Sequence, residues 1–160
     1  IYHDGHVFVA AGYGVGAKLI KIGSDNKTED LNPEMNTGMI NHHGGVVLVD
    51  DHLYGFSDKG GWTCLEFKTG KVKWQENAKL KKGAIHFADG KLYLLEENSG
   101  TVALIDASPD GYKEHGRFTL SPQTTQRNPK GKVWTHPTVA NGRLYLRDQE
   151  LLYSFDVSGK

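Results

Sequence analysis

The chain has 160 residues, 19 basic against 19 acidic side chains, 38% hydrophobic residues, 20 glycines and a single cysteine. That length holds one domain, and the charge balance gives no general electrostatic reason to expect a nucleic acid or an anionic membrane as partner. No apolar run is long enough for a spanning helix or resembles a signal peptide, and Cys64 alone rules out an intramolecular disulfide, so a metal site would have to be built from His and carboxylates.

From the N-terminus the chain opens on His3-Asp4-Gly5-His6-Val7-Phe8, and this pattern returns without a gap at Val49-Asp50-Asp51-His52-Leu53-Tyr54, Ala88-Asp89-Gly90-Lys91-Leu92-Tyr93 and Ala140-Asn141-Gly142-Arg143-Leu144-Tyr145. Counting from Val7 to Leu53, Leu92 and Leu144 gives steps of 46, 39 and 52 residues. Propeller blades recur at about that period, whereas ankyrin and tetratricopeptide units keep tighter periods of about 33 or 34. Asp89-Gly90 and Asn141-Gly142 are strong hairpin signals, since a type I′ turn needs positive φ at both central residues.

After the first hairpin, residues 25–37 are polar and carry Pro33, and read as an insertion between strands; the sequon Asn26-Lys27-Thr28 inside it reads as a chance match. The second unit predicts strands at 45–49, 53–57, 62–67 and 71–75, a four-stranded meander the length of one blade. Gly60-Gly61 reads as a turn, with Trp62 packing at a blade edge. Apolar residues fall on both parities in 46–49 and 92–95, so both sheet faces must be covered, which stacked blades achieve. Residues 121–132, rich in Gln, Thr, Arg and Asn, read as a second insertion. Trp134 reads as a packing residue in preference to a channel-mouth aromatic suited to a sugar or peptide, and Arg143, Arg147 and Asp148 as a surface group able to pair with one another or with an incoming loop. The fold expected is all-β, a single partial propeller domain over 1–160 with antiparallel four-stranded blades at about 1–40, 41–80, 81–130 and 131–160.

The run from Cys64 through Glu66, Thr69 and Gly70 to Trp74 resembles the tryptophan-docking motif Ala-x-Asp-x-x-Thr-Gly-x-x-x-Trp of quinoprotein propellers, with Cys for Ala and Glu for Asp. Thr69-Gly70 closes the hairpin between the last two strands of the unit, and Trp74, four residues on, is placed to reach the neighbouring blade. Burying one indole stabilises by roughly 1.5 to 3 kcal/mol. Degraded copies stand at 103–106 and 154–159. The sequence is thereby similar to the pyrroloquinoline quinone-like (PQQ-like) repeat family of the quinoprotein alcohol dehydrogenase-like superfamily. The resemblance implies a ring of seven or eight blades, of which this chain supplies about three and a half to four, and an extracytoplasmic, periplasmic or envelope-associated location. It reads as the C-terminal part of something larger, whose open faces would be covered by the missing half, a second copy or another protein.

Three functions follow as expectations. The first is a non-catalytic scaffold for other proteins with no cofactor, as in the propeller lipoprotein of the outer-membrane β-barrel assembly machine. The second is the propeller of a dehydrogenase using PQQ and Ca²⁺, which the resemblance allows but for which neither a Ca²⁺ ligand set nor a catalytic base can be assembled from these residues. The third is a ligand- or metal-binding propeller built on histidines: His3, His43, His86 and His136 all lie at even offsets before Val7, Leu53, Leu92 and Leu144, on or leading into the first strand of a blade. Their offsets differ by up to six residues, about 20 Å along a strand, so all four cannot meet. The subset His43, His86 and His136, with His42 beside it, is the best candidate for a polar cluster, read first as hydrogen-bonded core histidines and not as metal ligands.

Overall fold

The strands fall where the hairpin repeats put them, in four consecutive antiparallel meanders. The computed structural model describes residues 1–31 and 36–159 of the chain. The first sheet holds β1 (Tyr2–His3), β2 (His6–Ala11), β3 (Gly16–Ile22) and β4 (Thr28–Asp30); the second β5 (Val46–Val49), β6 (His52–Ser57), β7 (Gly61–Glu66) and β8 (Val72–Glu76). The third holds β9 (Gly83–Ala88), β10 (Lys91–Glu96), β11 (Thr101–Asp106) and β12 (Glu114–Thr119), and the fourth β13 (Thr138–Ala140), β14 (Arg143–Asp148) and β15 (Leu151–Asp156). Among the described residues there is no helix, and so none long and apolar enough to cross a membrane.

The repeated turns set the register. Asp89 and Gly90 have φ of 49° and 70°, and Asn141 and Gly142 of 51° and 71°, the left-handed pair a two-residue hairpin needs. Asp50-Asp51 makes the same turn without glycine, at 44° and 61°, because a short side chain that hydrogen-bonds locally tolerates this region.

Successive residues of one strand pack against opposite neighbours, which explains the apolar residues on both parities. Leu53 and Leu65 join Phe8 and Leu19 between the first and second sheets. Tyr54 and Cys64 join Leu92, Leu94 and Ile105 between the second and third. Tyr93 and Leu95 join Leu144 and Leu146 between the third and fourth. Three apolar layers thus alternate with four sheets to form part of a β-propeller.

Two expectations are corrected. Residues 25–37 are not wholly an insertion: Thr28–Asp30 pairs with β3 as the fourth strand of the first sheet. Its three residues are polar and exposed, so no alternation reveals it. Asn26 lies in the preceding turn at φ 60°, and Pro33 lies outside the described residues. Nor do Arg143, Arg147 and Asp148 pair with one another at the surface; the other expected arrangement, pairing with an incoming loop, is the one Asp148 adopts, from a buried position. Arg143 Nε donates to Ser154 Oγ at 2.6 Å and Arg147 Nε to the Gln149 carbonyl at 2.7 Å, while Asp148 is buried and takes Arg127 Nη2 at 2.5 Å and Nε at 3.2 Å. The second insertion, which supplies Arg127, is therefore fastened to the fourth sheet.

Candidate functional site

The five motif residues gather on the hairpin joining β7 and β8. Cys64 stands opposite Trp74 in the ladder, and a register shift follows between Cys64 and Leu65. Gly70, at φ 69°, turns the chain, while Thr69 Oγ1 donates to Glu66 Oε2 at 2.6 Å and Gly70 N to the Glu66 carbonyl at 2.8 Å. Trp74 is half-buried; its Nε1–H donates to the Ser108 carbonyl of the third sheet at 2.8 Å, and its ring lies 6.1 Å from those of both Tyr54 and Tyr112. Burial pushes the Cys64 thiol up to about 11, against the opposing hydrogen bond from Tyr54. Through Trp74 the hairpin ties the second sheet to the third.

A different set of residues meets at the opposite end of the meanders from the Asp-Gly and Asn-Gly turns. Topology brings two kinds of segment there, the turns joining the second and third strands of each sheet and the connections between sheets. On this connection face Tyr13 comes from the β2–β3 turn, His42 and His43 from the link into the second sheet, Asp58 from the β6–β7 turn, Lys82 from the link into the third, Glu97 from the β10–β11 turn and Trp134 from the link into the fourth.

Close backbone approach holds them there. A Cβ on Gly12 would stand 2.6 Å from His42 Cα, and one on Gly44 2.1 Å from the Gly83 carbonyl oxygen. Glycine at both positions lets the link carrying His42 and His43 wedge between the first and third sheets. The ring of Tyr13 then meets that of His42 edge-on at 4.2 Å, His42 meets His43 at 4.9 Å, and His43 meets Trp134 edge-on at 5.7 Å. Tyr13 is 85% and Trp134 55% exposed, so the ribbon of four rings ends in solvent on both sides.

Charged groups lie along the ribbon. Lys82 Nζ donates to Asp58 Oδ1 at 2.6 Å and to His42 Nδ1 at 3.1 Å. Glu97 Oε2 is buried and receives no aligned hydrogen bond, although His43 Nε2 is 2.9 Å away. Burial holds His43 below the usual histidine range, outweighing the pull of Glu97 in the other direction.

Of the expected histidines, His42 meets His43, and His136 acts electrostatically on His86. His42 and His43 are adjacent on the ribbon, and His136 lies against Gly45, its Cε1 3.0 Å from where a Cβ would be. His86 sits within β9, its Nε2 accepting the Val139 N–H at 3.2 Å; burial first, and His136 second, push its proton affinity down. His3 is on the far side, 3.1 Å from Asp51 in the β5–β6 turn. Among the described residues no group of three or more His, Cys, Asp or Glu side chains could hold a metal ion. Tyr13, Lys82, Glu97 and Trp134 were not signalled by the repeats, because each lies in a connecting segment where the period breaks. Trp134, for which packing was preferred over a channel-mouth position, packs edge-on against His43 and is half in solvent.

A quinone held with a hard cation would need several free oxygen ligands. Asp58 is engaged by Lys82 and Glu97 lies under His43, so the carboxylates of the connection face do not fit that group.

No family model matches the sequence, and no curated protein matches it. Among solved structures, BamB from Moraxella catarrhalis superposes with a TM-score of 0.65 at 17% identity, over 96% of this chain and 40% of that one. The fold is that of a PQQ-like propeller. A europium-containing methanol dehydrogenase also matches the propeller, with a TM-score of 0.54 at 17% identity over 76% of this chain and 24% of its own. The propeller segment described here thus spans less than half of either protein.

Proposed function

We propose that this chain is part of a non-catalytic propeller scaffold that holds a partner protein on its connection face, in an extracytoplasmic compartment. The observation that carries the reading is the exposure of Tyr13 and Trp134 at the two ends of a ring ribbon whose middle is fixed by packing. Large aromatics are costly to leave in water, and Trp and Tyr dominate the energetics of protein interfaces. The location rests on the likeness to BamB and methanol dehydrogenase propellers.

The test is affinity capture from an envelope extract of the source organism with the immobilised chain, beside a Tyr13→Ala, Trp134→Ala double variant of unchanged melting temperature. A stoichiometric partner kept by the parent chain and lost by the variant supports the scaffold. Equal capture by both overturns it, as does dye-reducing activity regained when PQQ and Ca²⁺ are added, which is what the dehydrogenase reading predicts.

A further inference from the structure

The position of Trp74 recurs one sheet further on, and a glycine holds it. In the second sheet Tyr54 pairs with Cys64 and Cys64 with Trp74, with a register shift just after Cys64. In the third sheet Tyr93 pairs with Leu104 and Leu104 with Gly116, with the shift at the same step, between Leu104 and Ile105. Gly116 therefore stands toward the fourth sheet as Trp74 stands toward the third. The hydrogen-bond acceptor is repeated as well. Ala107 N donates to the Gly90 carbonyl at 3.0 Å and Val157 N to the Gly142 carbonyl at 2.8 Å, which puts Ser158 in the place of Ser108, whose carbonyl takes the Trp74 indole N–H.

The space that an indole fills in one layer is open in the next. A Cβ on Gly116 would meet nothing within 4 Å, and a cavity of about 370 Å³ lies between Gly116, Tyr93, Leu104, Phe118, Leu144 and Phe155, within the size range of small-ligand sites. Cys64 and Ile105, in the layer that Trp74 covers, are fully buried. Leu104 and Phe155, which hold the same places around the cavity, are only half-buried. The charges at the rim are already answered: Arg117 donates to Glu114 at 2.6 Å and to the Lys79 carbonyl at 2.9 Å, His115 Nε2 lies 2.6 Å from Asp106, and Asp156 accepts from Ser158 N at 2.9 Å. The cavity thus suits an uncharged, flat, apolar group with an N–H at its edge.

We propose that this slot seats the indole of a tryptophan on another polypeptide, entering between β12 and β15, with its N–H directed to the Ser158 carbonyl. The chain itself shows the fit, because the same frame one layer earlier encloses an indole of its own. Phenylalanine has no donor, tyrosine carries its donor at the tip of a single ring, and aliphatic side chains have no flat face to lay against Tyr93 and Phe155. The slot shares no residue with the Tyr13 to Trp134 ribbon and goes beyond the scaffold reading as a second docking point.

The test is an NMR titration of the ¹⁵N-labelled chain with N-acetyl-tryptophan amide, beside the corresponding phenylalanine and leucine amides, followed at the backbone amides of Gly116, Phe118 and Val157. The expected result is a saturable millimolar shift with the tryptophan probe, roughly fivefold weaker binding of the phenylalanine probe for want of the hydrogen bond, and no shift with the leucine probe. Gly116→Trp, which supplies an indole from within, should abolish the shift and raise the melting temperature, while Gly116→Ala leaves the slot open and should keep it. An amide spectrum unchanged away from β12 establishes that each variant is folded, and the comparison of probes on the unaltered chain stands by itself. No shift at these amides, an equal shift with the leucine probe, or a shift undiminished in folded Gly116→Trp would overturn the assignment. So would a Gly116 signal that moves with chain concentration alone, which would mean a second copy in the slot, or free indole bound more tightly than the amide, which would mean a free heteroaromatic molecule. None of these outcomes reads Tyr13 or Trp134, on which the capture experiment stands or falls.

Discussion

The indole N–H of Trp74 reaches 34 residues along the chain to the Ser108 carbonyl, 2.8 Å away, and so ties the outermost strand of the second sheet to the link between β11 and β12 in the third. Two contributions can be separated. Trp74→Phe keeps most of the ring contact with Tyr54 and Tyr112 and removes the hydrogen bond, for an expected loss of about 1 kcal/mol. Trp74→Ala removes both; because the indole is only half-buried, the expected loss is about 2 to 3 kcal/mol, below the roughly 3 to 5 of a fully buried tryptophan. Urea unfolding of the two variants measures both, and a Trp74→Ala loss under about 1 kcal/mol would show that the indole does not join the sheets.

Asp148 and Arg127 make a second tie, of a different physical kind. The Asp148 side chain is fully buried and Arg127 15% exposed, and Thr124 N donates to the same carboxylate at 3.2 Å. Removing one member of such a pair leaves an uncompensated buried charge. Arg127→Ala is expected to cost about 3 to 5 kcal/mol and to open residues 121–132 to protease. Adding Asp148→Asn should recover a large part of that loss. Recovery of none would mean that the loop is held by contacts other than this charge pair.

What the sequence disclosed and what it withheld divide along the same line. Strands β6, β7, β10 and β11 carry apolar residues on both faces because each lies between two layers, and Asp89-Gly90 and Asn141-Gly142 name their own turns; both signals are local. β4 was hidden because its three residues are exposed and polar, held to β3 by backbone pairing and by Lys18 Nζ on Asp30, neither of which leaves an alternation to read. For Asp148 an incoming loop was one of the two expected partners, but its burial and the identity of that partner were not legible, because Arg127 is 21 residues away in a segment with no periodicity. The connection face was mostly hidden for the same reason. His42 and His43 could be singled out as histidines near a strand start, but nothing in the spacing brings Glu97 from the third sheet or Trp134 from the link beyond it to His43.

Acid should loosen the chain through its histidines. His86 Nε2 accepts the Val139 N–H at 3.2 Å, which only the unprotonated nitrogen can do, and burial lowers its affinity for a proton, as it does for His43. The groups facing His86 are uncharged apart from His136; those facing His43 are Glu97, Lys82, His42 and Asp58. Both histidines bind a proton more readily unfolded than folded. Stability is therefore undiminished above the ordinary histidine value of about 6.5 and falls as pH drops below it toward the lower folded values. Melting temperatures taken from about pH 7.5 down to about 5.5 should decline, and His86→Gln, which keeps an acceptor but cannot titrate in this range, should flatten the decline. An equal slope in that variant would remove His86 from the account.

Gly44 offers the sharpest test of how the connection face is assembled. Its φ of 109° is a conformation that L side chains rarely adopt, and a Cβ there would stand 2.1 Å from the Gly83 carbonyl oxygen, a backbone atom with no rotamer to yield. Gly44→Ala thus adds backbone strain of roughly 1 to 3 kcal/mol to overpacking of roughly 1 to 3 kcal/mol, and pushes the link bearing His42 and His43 away from β9. Gly14→Ala is the control: its φ is 80°, but nothing lies within 4 Å of the new Cβ, so only the strain remains. The expected outcome is a melting temperature lowered clearly more by Gly44→Ala than by Gly14→Ala, accompanied by a changed Trp134 indole signal in the first variant only. Equal losses would mean that φ alone sets the cost at Gly44, and that the ribbon is not held in place by the close approach of β9.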